Sequence, residues 1–172
     1  MNVIRAATEE DADSIAHVHV TSWRSTYRGV VPDEYLAGLD EAARAVSWRE
    51  WLGMGVPVFV VVQDGLVVGF ISGGPIREPI EDYDAELFTI YLLEQSQRQR
   101  IGTALLRRLA DSLVASGFKK LVVWVLEDNQ SYTFYERSGA HRISSKEIDV
   151  GGAILPVVAY GWPSLQTIAS QH

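Results

Sequence analysis

The sequence predicts an α+β domain, an α/β sandwich with one mixed, mostly antiparallel central sheet and helices on both faces. β-branched runs and amphipathic helical patterns follow one another along the chain. Asp64-Gly65 and Gly151-Gly152 each separate two strand-like segments, as in β-hairpins. No repeat, low-complexity segment or linker interrupts the 172 residues. We therefore expect one domain over residues 1–165 and a C-terminal tail over 166–172.

The first third of the chain is predicted to be mainly helical. A short strand over 2–6 precedes Thr8, which is followed by three acidic residues and has the character of a helix N-cap. The helix after it carries Ile15, Val18, His19 and Ser22 on one face. We expect a short helix over 33–39 and a third helix that Asp40 caps and that Gly53 and Gly55 end.

The rest of the chain is predicted to alternate strands and helices. A β-branched run over 56–62 has the character of a strand that is buried on both faces. Residues 73–75 and 78–84 are expected to form a polar loop. The helix over 101–116 has an apolar residue at every fourth position, and Gly117 ends it. The remaining expected elements are strands over 66–72, 85–93, 121–126, 143–150 and 153–160, and a helix from Asp128 or Asn129 to Gly139.

The composition limits the classes of protein to which the chain can belong. Hydrophobic residues make up 47% of the sequence and charged residues 22%, as in soluble globular proteins. The formal net charge of −7 disfavours general binding of nucleic acid or of an anionic membrane. Since there is no cysteine, disulfides and thiolate metal sites are excluded. These features, with an N-terminus that lacks an apolar signal segment, predict a cytoplasmic protein without nucleic-acid or membrane partners.

A polar, basic stretch precedes the helix predicted at 101–116. It contains Gln97, Arg98, Gln99 and Arg100, and Gly102 follows in the first helical turn. The first amides of a helix have no internal partner, and the helix dipole favours anions there, so the segment is suited to a phosphate or pyrophosphate. The alternative is a solvated basic helix start in which Gly102 serves packing. Neither the P-loop nor the dinucleotide-binding pattern of glycines is present.

The order of elements around this stretch resembles motif A of the GCN5-related N-acetyltransferases. That family has Q/R-x-x-G-x-G/A between a strand and the following helix, and here Gln97 fills the first position and Gly102 the last. Arg100 stands where the family usually has its first Gly. An Arg there must adopt a backbone conformation that Gly adopts more easily, or the loop shifts by a residue. A second register, over 99–104, also satisfies the pattern but fits the strand spacing less well.

Later segments resemble motif B of the same family. Residues 123–129 end in Asn129, and residues 134–140 contain Tyr135, six positions later, where many members have seven. The resemblance covers roughly residues 3–162. It implies a GNAT-like acyl-CoA acyltransferase fold. It also implies an N-acetyltransferase that moves an acetyl group from acetyl-CoA to a primary amine by direct attack in a ternary complex.

The resemblance further implies the residues that bind the co-substrate acetyl-CoA. Loop amides would hold the pyrophosphate, a bulged strand would offer unpaired main chain to the acyl-pantetheine, and Asn129 would contact the pantetheine arm. The implied residues are Ile90, Tyr91, Leu92, Gln97, Arg98, Gln99, Arg100, Ile101, Gly102, Thr103, Asn129 and Tyr135. No metal is expected, because His17 and His19 are two positions apart on a helix and face different directions.

Two residues are candidates for catalysis. Tyr135, near the thioester sulfur by resemblance, is the candidate acid for the leaving thiolate, since a phenol is protonated at neutral pH. Its alternative role is packing beside Phe134. Glu86 is the candidate base, through water, and its alternative is a solvent-facing carboxylate at a strand end. Asp84 and Glu81 are neighbouring competitors for the same role.

Trp23, Tyr27 and Tyr35 are candidates for the acceptor pocket, with a core role as the alternative. The expected acceptor is a small-molecule or peptide amine, and the acidic chain suits a cationic one. The strand over 157–162 could support a homodimer. Two other functions compete with catalysis: an acyl-CoA-binding regulator without turnover, and a structural or partner-binding domain on the same fold.

Overall fold

The central feature of the fold is a seven-stranded sheet, seen in a computed structural model that describes residues 1–169. Its strand order is β1-β2-β3-β4-β5-β7-β6. Only β4 and β5 are parallel, and every other neighbouring pair is antiparallel. This arrangement confirms the predicted mixed, mostly antiparallel sheet. The strands are β1 (Asn2–Ala6), β2 (Val58–Gln63), β3 (Leu66–Pro75), β4 (Ala85–Leu92), β5 (Leu121–Leu126), β6 (His141–Val150) and β7 (Ala153–Trp162).

Helices cover both faces of the sheet. One face packs against α1 and α3, whose Ile15 and Trp48 meet Val60 and Phe70 of the sheet. The other face packs against α4 and α6. Residues of β2 alternate between the two cores, so this strand is buried on both faces, as its β-branched composition predicts. The helices are α1 (Ala12–Thr26), α2 (Asp33–Ala37), α3 (Glu41–Gly53), α4 (Ile101–Ala115), α5 (Tyr132–Arg137) and α6 (Leu165–Ala169).

Local signals in the sequence fix several turns and caps. The Asp40 carboxylate accepts backbone N–H groups of Ala42 and Ala43 at the start of α3. Both hairpin turns have two consecutive residues with positive φ: 52° and 80° at Asp64-Gly65, and 61° and 87° at Gly151-Gly152. The Thr8 segment differs from the prediction, because a short 3₁₀ turn over Glu9–Asp11 precedes α1.

The prediction of a loop from residue 73 was wrong, because β3 continues to Pro75. A Cβ at Gly73 would lie 2.8 Å from the Glu86 carbonyl oxygen and 2.9 Å from a Leu109 methyl group. The glycine therefore allows β3, β4 and α4 to approach closely, rather than marking a turn.

The C-terminal segment extends the core. Leu165 and Ile168 of α6 are buried in the cluster that α4 forms on the sheet. The expected boundary at 165/166 thus divides a packed helix, and residues 170–172 of the expected tail lie outside the described residues. Strand β7, which includes residues 157–162, pairs with β5 on one side and β6 on the other. The edge strands of the sheet, which are free to pair with a second copy of the chain, are therefore β1 and β6.

Strands β4 and β5 diverge along their length. They pair only from Ala85 to Leu87 of β4. On the other side of β4, the register with β3 shifts between Ser72 and Gly73, which leaves Phe88 as an extra residue in a β-bulge. Beyond the bulge, the main chain of β4 has no partner on the β5 side. The splayed ends of the two strands open a cleft between the helical layers.

Candidate active site

A cavity of about 780 Å³ occupies the cleft between β4 and β5. Its walls are the diverging strand ends, the last turn of α1, the N-terminal turns of α4 and α5, and the loops that lead into these two helices. A cavity of this size falls in the range of cofactor-binding sites. Most of the residues that the sequence singled out line it: Tyr27, Ile90, Tyr91, Leu92, Gln97, Arg98, Arg100, Gly102, Thr103, Asn129 and Tyr135.

The loop before α4 contains two non-glycine residues in the left-handed region. Arg98 has φ of 61° and Arg100 has φ of 62°, and Arg100 is the N-cap of α4. Arg100 therefore adopts the backbone conformation that glycine adopts more easily. A left-handed residue followed by a helical one turns successive amides toward one point, which forms an anion-binding nest. The nest, the α4 dipole and the two guanidinium groups make this end of the cavity suited to a pyrophosphate.

Hydrogen bonds to β4 and β2 hold the same loop. The Gln97 amide donates to the Leu92 carbonyl oxygen at 3.1 Å. Gln63 of β2 donates to the Gln99 side chain at 3.1 Å and accepts from the buried Ser96 hydroxyl at 3.0 Å. Gln99 and Ile101 do not line the cavity, since the Gln99 side chain binds Gln63 and the Ile101 side chain is buried in the core. Any contact of these two residues with a cofactor would come from their main chain.

Tyr135 of α5 lies against the inner end of the cavity. Its ring is buried and meets Trp162 edge to face, with ring centroids 5.8 Å apart. Burial raises the pKa of the Tyr135 hydroxyl above its ordinary value, so the phenol keeps its proton through the neutral range. Tyr135 thus packs in the core and also lines the cavity, and its role as an acid stays a prediction.

Asn129 and Tyr27 are hydrogen-bonded across the cavity wall. The Asn129 side-chain nitrogen donates to the Tyr27 hydroxyl oxygen at 3.1 Å, and the Asn129 oxygen accepts the Ser131 N–H at 2.9 Å. On the same wall, the Trp23 indole N–H donates to the Tyr91 hydroxyl at 2.9 Å. These bonds join the C-terminal end of α1 to β4 and to the β5–α5 loop.

Trp23 and Tyr35 lie behind Tyr27 rather than in the cavity wall. The Trp23 and Tyr27 rings meet at 4.6 Å between centroids, and Tyr35 packs against Trp23 and Gly151. Of the three aromatic residues expected in the acceptor pocket, the structure brings only Tyr27 to the cavity.

Glu86 is held outside the cavity. Its carboxylate is buried and accepts hydrogen bonds from the Arg77 guanidinium, the closest at 2.5 Å, and from the Arg77 main-chain N–H at 3.1 Å. Glu86 does not line the cavity whereas the next residue, Leu87, does, because successive side chains of a strand point to opposite faces of the sheet. Of its competitors, Asp84 accepts the main-chain N–H groups of Lys119 and Lys120, and Glu81 is exposed in a turn.

Several cavity residues were missed at the level of sequence. Ser22, Ser25 and Thr26 line the cavity from the last turns of α1, and Arg137 lines it from α5. The Ser22 hydroxyl is buried and has no hydrogen-bond partner within residues 1–169. The signal for the three α1 residues is their helical spacing next to Tyr27, which places small polar groups on one side of the helix. The sequence places Ser22 on the buried face of that helix, and no signal in the sequence indicates Arg137.

The described part of the chain holds no group of three or more His, Cys, Asp or Glu side chains arranged to bind a metal ion. No helix within it has the length and apolar character needed to cross a membrane.

The splayed parallel strands, the bulge in β4 and the loop at the start of α4 match the acyl-CoA acyltransferase fold that the resemblance implies. Comparison with known proteins identifies the family: the sequence model of the Acetyltransferase (GNAT) family matches residues 14–140. The chain belongs to this family of N-acetyltransferases.

Relatives and solved structures agree with this assignment. The chain is 42% identical to the uncharacterized N-acetyltransferase YuaI of Bacillus subtilis over 98% of this chain and 96% of that protein. It is 26% identical to the spermidine N(1)-acetyltransferase of Thermoplasma acidophilum over 79% of this chain and 86% of that protein. The structure of yncA from Salmonella typhimurium with its cofactor acetyl-CoA has the same fold, with a TM-score of 0.72 at 19% identity over 100% of this chain and 96% of that chain.

Proposed function

We propose that the protein transfers an acetyl group from acetyl-CoA to the primary amine of a small molecule or peptide, by direct attack in a ternary complex. The observation that carries this proposal is the nest formed by Arg98 and Arg100 at the start of α4, which opens onto the cleft between β4 and β5. The pyrophosphate would lie on the nest, and the acyl-pantetheine would run between the two strands.

Protein groups in the cleft suit the steps of amide formation. As the amine nitrogen bonds to the thioester carbon, charge develops on the carbonyl oxygen, and the unpaired main chain of β4 beyond Leu87 is available to donate to it. When the carbon–sulfur bond breaks, the thiolate needs a proton. Tyr135 is the proposed donor because its phenol is protonated and lines the cavity.

The amine must also lose a proton, and water in the cavity is the proposed route. Glu86 and a water chain were the two alternatives at the level of sequence. The Glu86 carboxylate forms an ion pair with the Arg77 guanidinium and does not line the cavity. Both observations favour water over direct action of Glu86.

The acceptor would enter from the α1 side of the cavity. Ser22, Ser25 and Thr26 supply neutral hydroxyl groups there, and the carboxylates in the cavity wall are those of Glu94 and Asp128, both exposed. Spermidine is the first acceptor to test, because the relative from Thermoplasma acidophilum is named for it. We also propose a cytoplasmic location, from the absence of cysteine, and a homodimer.

Release of free thiol from acetyl-CoA tests the function directly. The purified protein is assayed against polyamines, amino acids, aminoglycosides and lysine peptides, and we expect release with one of these classes. Saturable acetyl-CoA binding without release for any class would favour the regulator function instead. Absence of acetyl-CoA binding would contradict the proposal.

The pyrophosphate site is tested by a matched pair of variants at Gly102. A Cβ at this position lies 3.5 Å from the Phe134 ring, which is ordinary contact, so Gly102→Ala should fold and bind acetyl-CoA. Gly102→Asp places a negative charge beside the nest and should abolish binding, while a carboxylate near a helix N-terminus is compatible with folding. Calorimetric titration measures the acetyl-CoA affinity of the two variants, and circular dichroism measures whether they fold. Equal affinity of the two variants would contradict the assignment of the loop.

A further inference from the structure

The Tyr27 hydroxyl is fixed at the cavity wall in a specific hydrogen-bonding state. Tyr27 ends α1, is 5% exposed and lines the cavity. Its ring packs against Trp23, so its position does not depend on a ligand. What the hydroxyl can offer to a bound substrate depends on which neighbours donate to it and which accept from it.

Asn129 can only donate to Tyr27. The Ser131 N–H donates to the Asn129 side-chain oxygen at 2.9 Å, and this bond fixes the orientation of the amide. The amide nitrogen, which has no acceptor capacity, therefore faces the Tyr27 oxygen at 3.1 Å. The Tyr27 oxygen is the acceptor in this bond, and its own hydrogen is left free.

Tyr91 is a second tyrosine of the cavity wall whose hydroxyl accepts a hydrogen bond. Trp23 donates to the Tyr91 hydroxyl at 2.9 Å and cannot accept, so the Tyr91 hydrogen must point elsewhere. With Asn129 donating to its oxygen, Tyr27 likewise keeps its own hydrogen available for an acceptor.

We propose that Tyr27 is a catalytic residue that donates a hydrogen bond to the carbonyl oxygen of the reacting thioester, and that Asn129 is the positioning residue that keeps the Tyr27 hydrogen directed into the cavity. The inference rests on the proposed function and changes the expected role of both residues. Tyr27 would act on the thioester rather than line the acceptor pocket, and Asn129 would act through Tyr27 rather than on the pantetheine arm.

The proposed step is balanced without a further reactant. The amine nitrogen bonds to the thioester carbon, and the electron pair that moves to the carbonyl oxygen is stabilised by the Tyr27 hydrogen bond and by β4 main chain. The pair then returns as the carbon–sulfur bond breaks. The amine proton leaves to water, the sulfur takes a proton from Tyr135, and the Tyr135 phenolate regains a proton from water. Tyr27 keeps its proton throughout.

Removal of the hydroxyl tests the role of Tyr27. Tyr27→Phe keeps the ring that packs on Trp23 and removes only the donor. We expect kcat to fall by about 100-fold, as for loss of a side-chain oxyanion donor, with the KM for acetyl-CoA unchanged within about threefold. Tyr83→Phe, which removes a hydroxyl outside the cavity, is the control and should keep full activity. A kcat for Tyr27→Phe equal to that of the control would overturn the proposal.

Asn129→Asp tests the positioning role. Aspartate has the same shape and still accepts the Ser131 N–H, but its carboxylate would accept the Tyr27 hydrogen and so turn it away from the cavity. We expect Asn129→Asp to lower kcat about as much as Tyr27→Phe, and the double variant to be no slower than Tyr27→Phe alone.

The same two single variants and their double variant distinguish a positioning role of Asn129 from a contact with the pantetheine. If Asn129 instead contacts the pantetheine, Asn129→Asp will raise the KM for acetyl-CoA in both backgrounds and the two losses will multiply, which would overturn the positioning role. Full turnover by Tyr27→Phe, with loss of binding in Gly102→Asp, would reject this inference and leave the proposed function intact. Absence of turnover by the unmodified protein would reject both.

Discussion

At the scale of single residues, Arg98 and Arg100 combine two properties that usually require different side chains. Each has positive φ, which costs a residue with a Cβ about 1–2 kcal/mol relative to glycine. In return, each adds a positive charge beside the amides of the α4 N-terminus. The family pattern has glycine at the position of Arg100, so this chain has less backbone freedom and more positive charge at the proposed pyrophosphate site.

A residue-scale prediction concerns Glu86, whose carboxylate is bound by Arg77. Glu86→Gln keeps an acceptor for the guanidinium and removes the titrating group. We expect turnover to change by less than about threefold and the acidic limb of the pH–rate profile to be unchanged, because loss of a general base would lower turnover about 100-fold or more. Steady-state kinetics from pH 5 to 10 provide the measurement. Loss of the acidic limb in Glu86→Gln would instead identify Glu86 as the base.

At the scale of elements, the active cleft depends on how β3, β4 and α4 meet. Phe88 bulges out of β4, and on the N-terminal side of the bulge Gly73 lets the Glu86 carbonyl and a Leu109 methyl group approach within 3 Å of where a Cβ would lie. The bulge separates Glu86, which pairs on both sides, from the unpaired strand end that lines the cavity. Close packing on one side of the bulge thus supports the open strand end on the other.

An element-scale prediction compares two adjacent glycines. Gly73→Ala would force β4 or α4 to move, and we expect it to lower the free energy of unfolding by about 1–3 kcal/mol. Gly74→Ala is the matched control, since its Cβ would meet the Phe88 ring at an ordinary 3.4 Å. Urea denaturation measures the free energy of unfolding of both variants. Equal stabilities would show that the contact of Gly73 is not required.

At the scale of the whole molecule, His19 links the α1–α3 layer to the sheet. It is 8% exposed, accepts the Trp48 indole N–H at 3.2 Å, and stacks on Tyr91 at 5.3 Å between centroids. Burial, assisted by the nearby positive charge of Arg44, lowers the pKa of His19 to about 4. The histidine is therefore neutral in the folded protein at neutral pH.

The stability of the fold should depend on pH through His19. Below pH 6.5 the unfolded chain protonates this residue, while the folded protein does not until about pH 4. The unfolded state then binds more protons, so the free energy of unfolding falls as the pH drops from 6.5 to 4, by up to about 3 kcal/mol from this group. Denaturation at a series of pH values measures the slope.

Two variants isolate this contribution. His19→Asn removes the titrating ring and should flatten the slope between pH 6.5 and 4. His17→Gln, at an exposed histidine that pairs with Glu41, should retain the slope. A slope that is equal in His19→Asn and in the unmodified protein would assign the pH dependence to other groups.

The sequence by itself determined the order of the strands and of all the helices except α6, because the signals are local. Apolar periodicity identified α4, β-branched runs identified β2 and β5, and two-residue turns identified both hairpins. The loop at 97–102 was predicted for the same reason to bind the cofactor, and the structure places most of its residues in the cavity wall. Gly73 was misassigned, since a glycine required by packing and one required by a turn are identical in sequence.

Only the tertiary structure decided which side chains meet in the cleft. Arg77 and Glu86 are nine positions apart and Tyr27 and Asn129 are 102 apart, and no local pattern reports either pair. The ion pair with Arg77 held the Glu86 carboxylate outside the cavity, and the Ser131 N–H oriented the Asn129 amide toward Tyr27. Strand register and the direction of hydrogen bonds are set by contacts between distant segments, so they are fixed only when the sheet and its two helical layers have assembled.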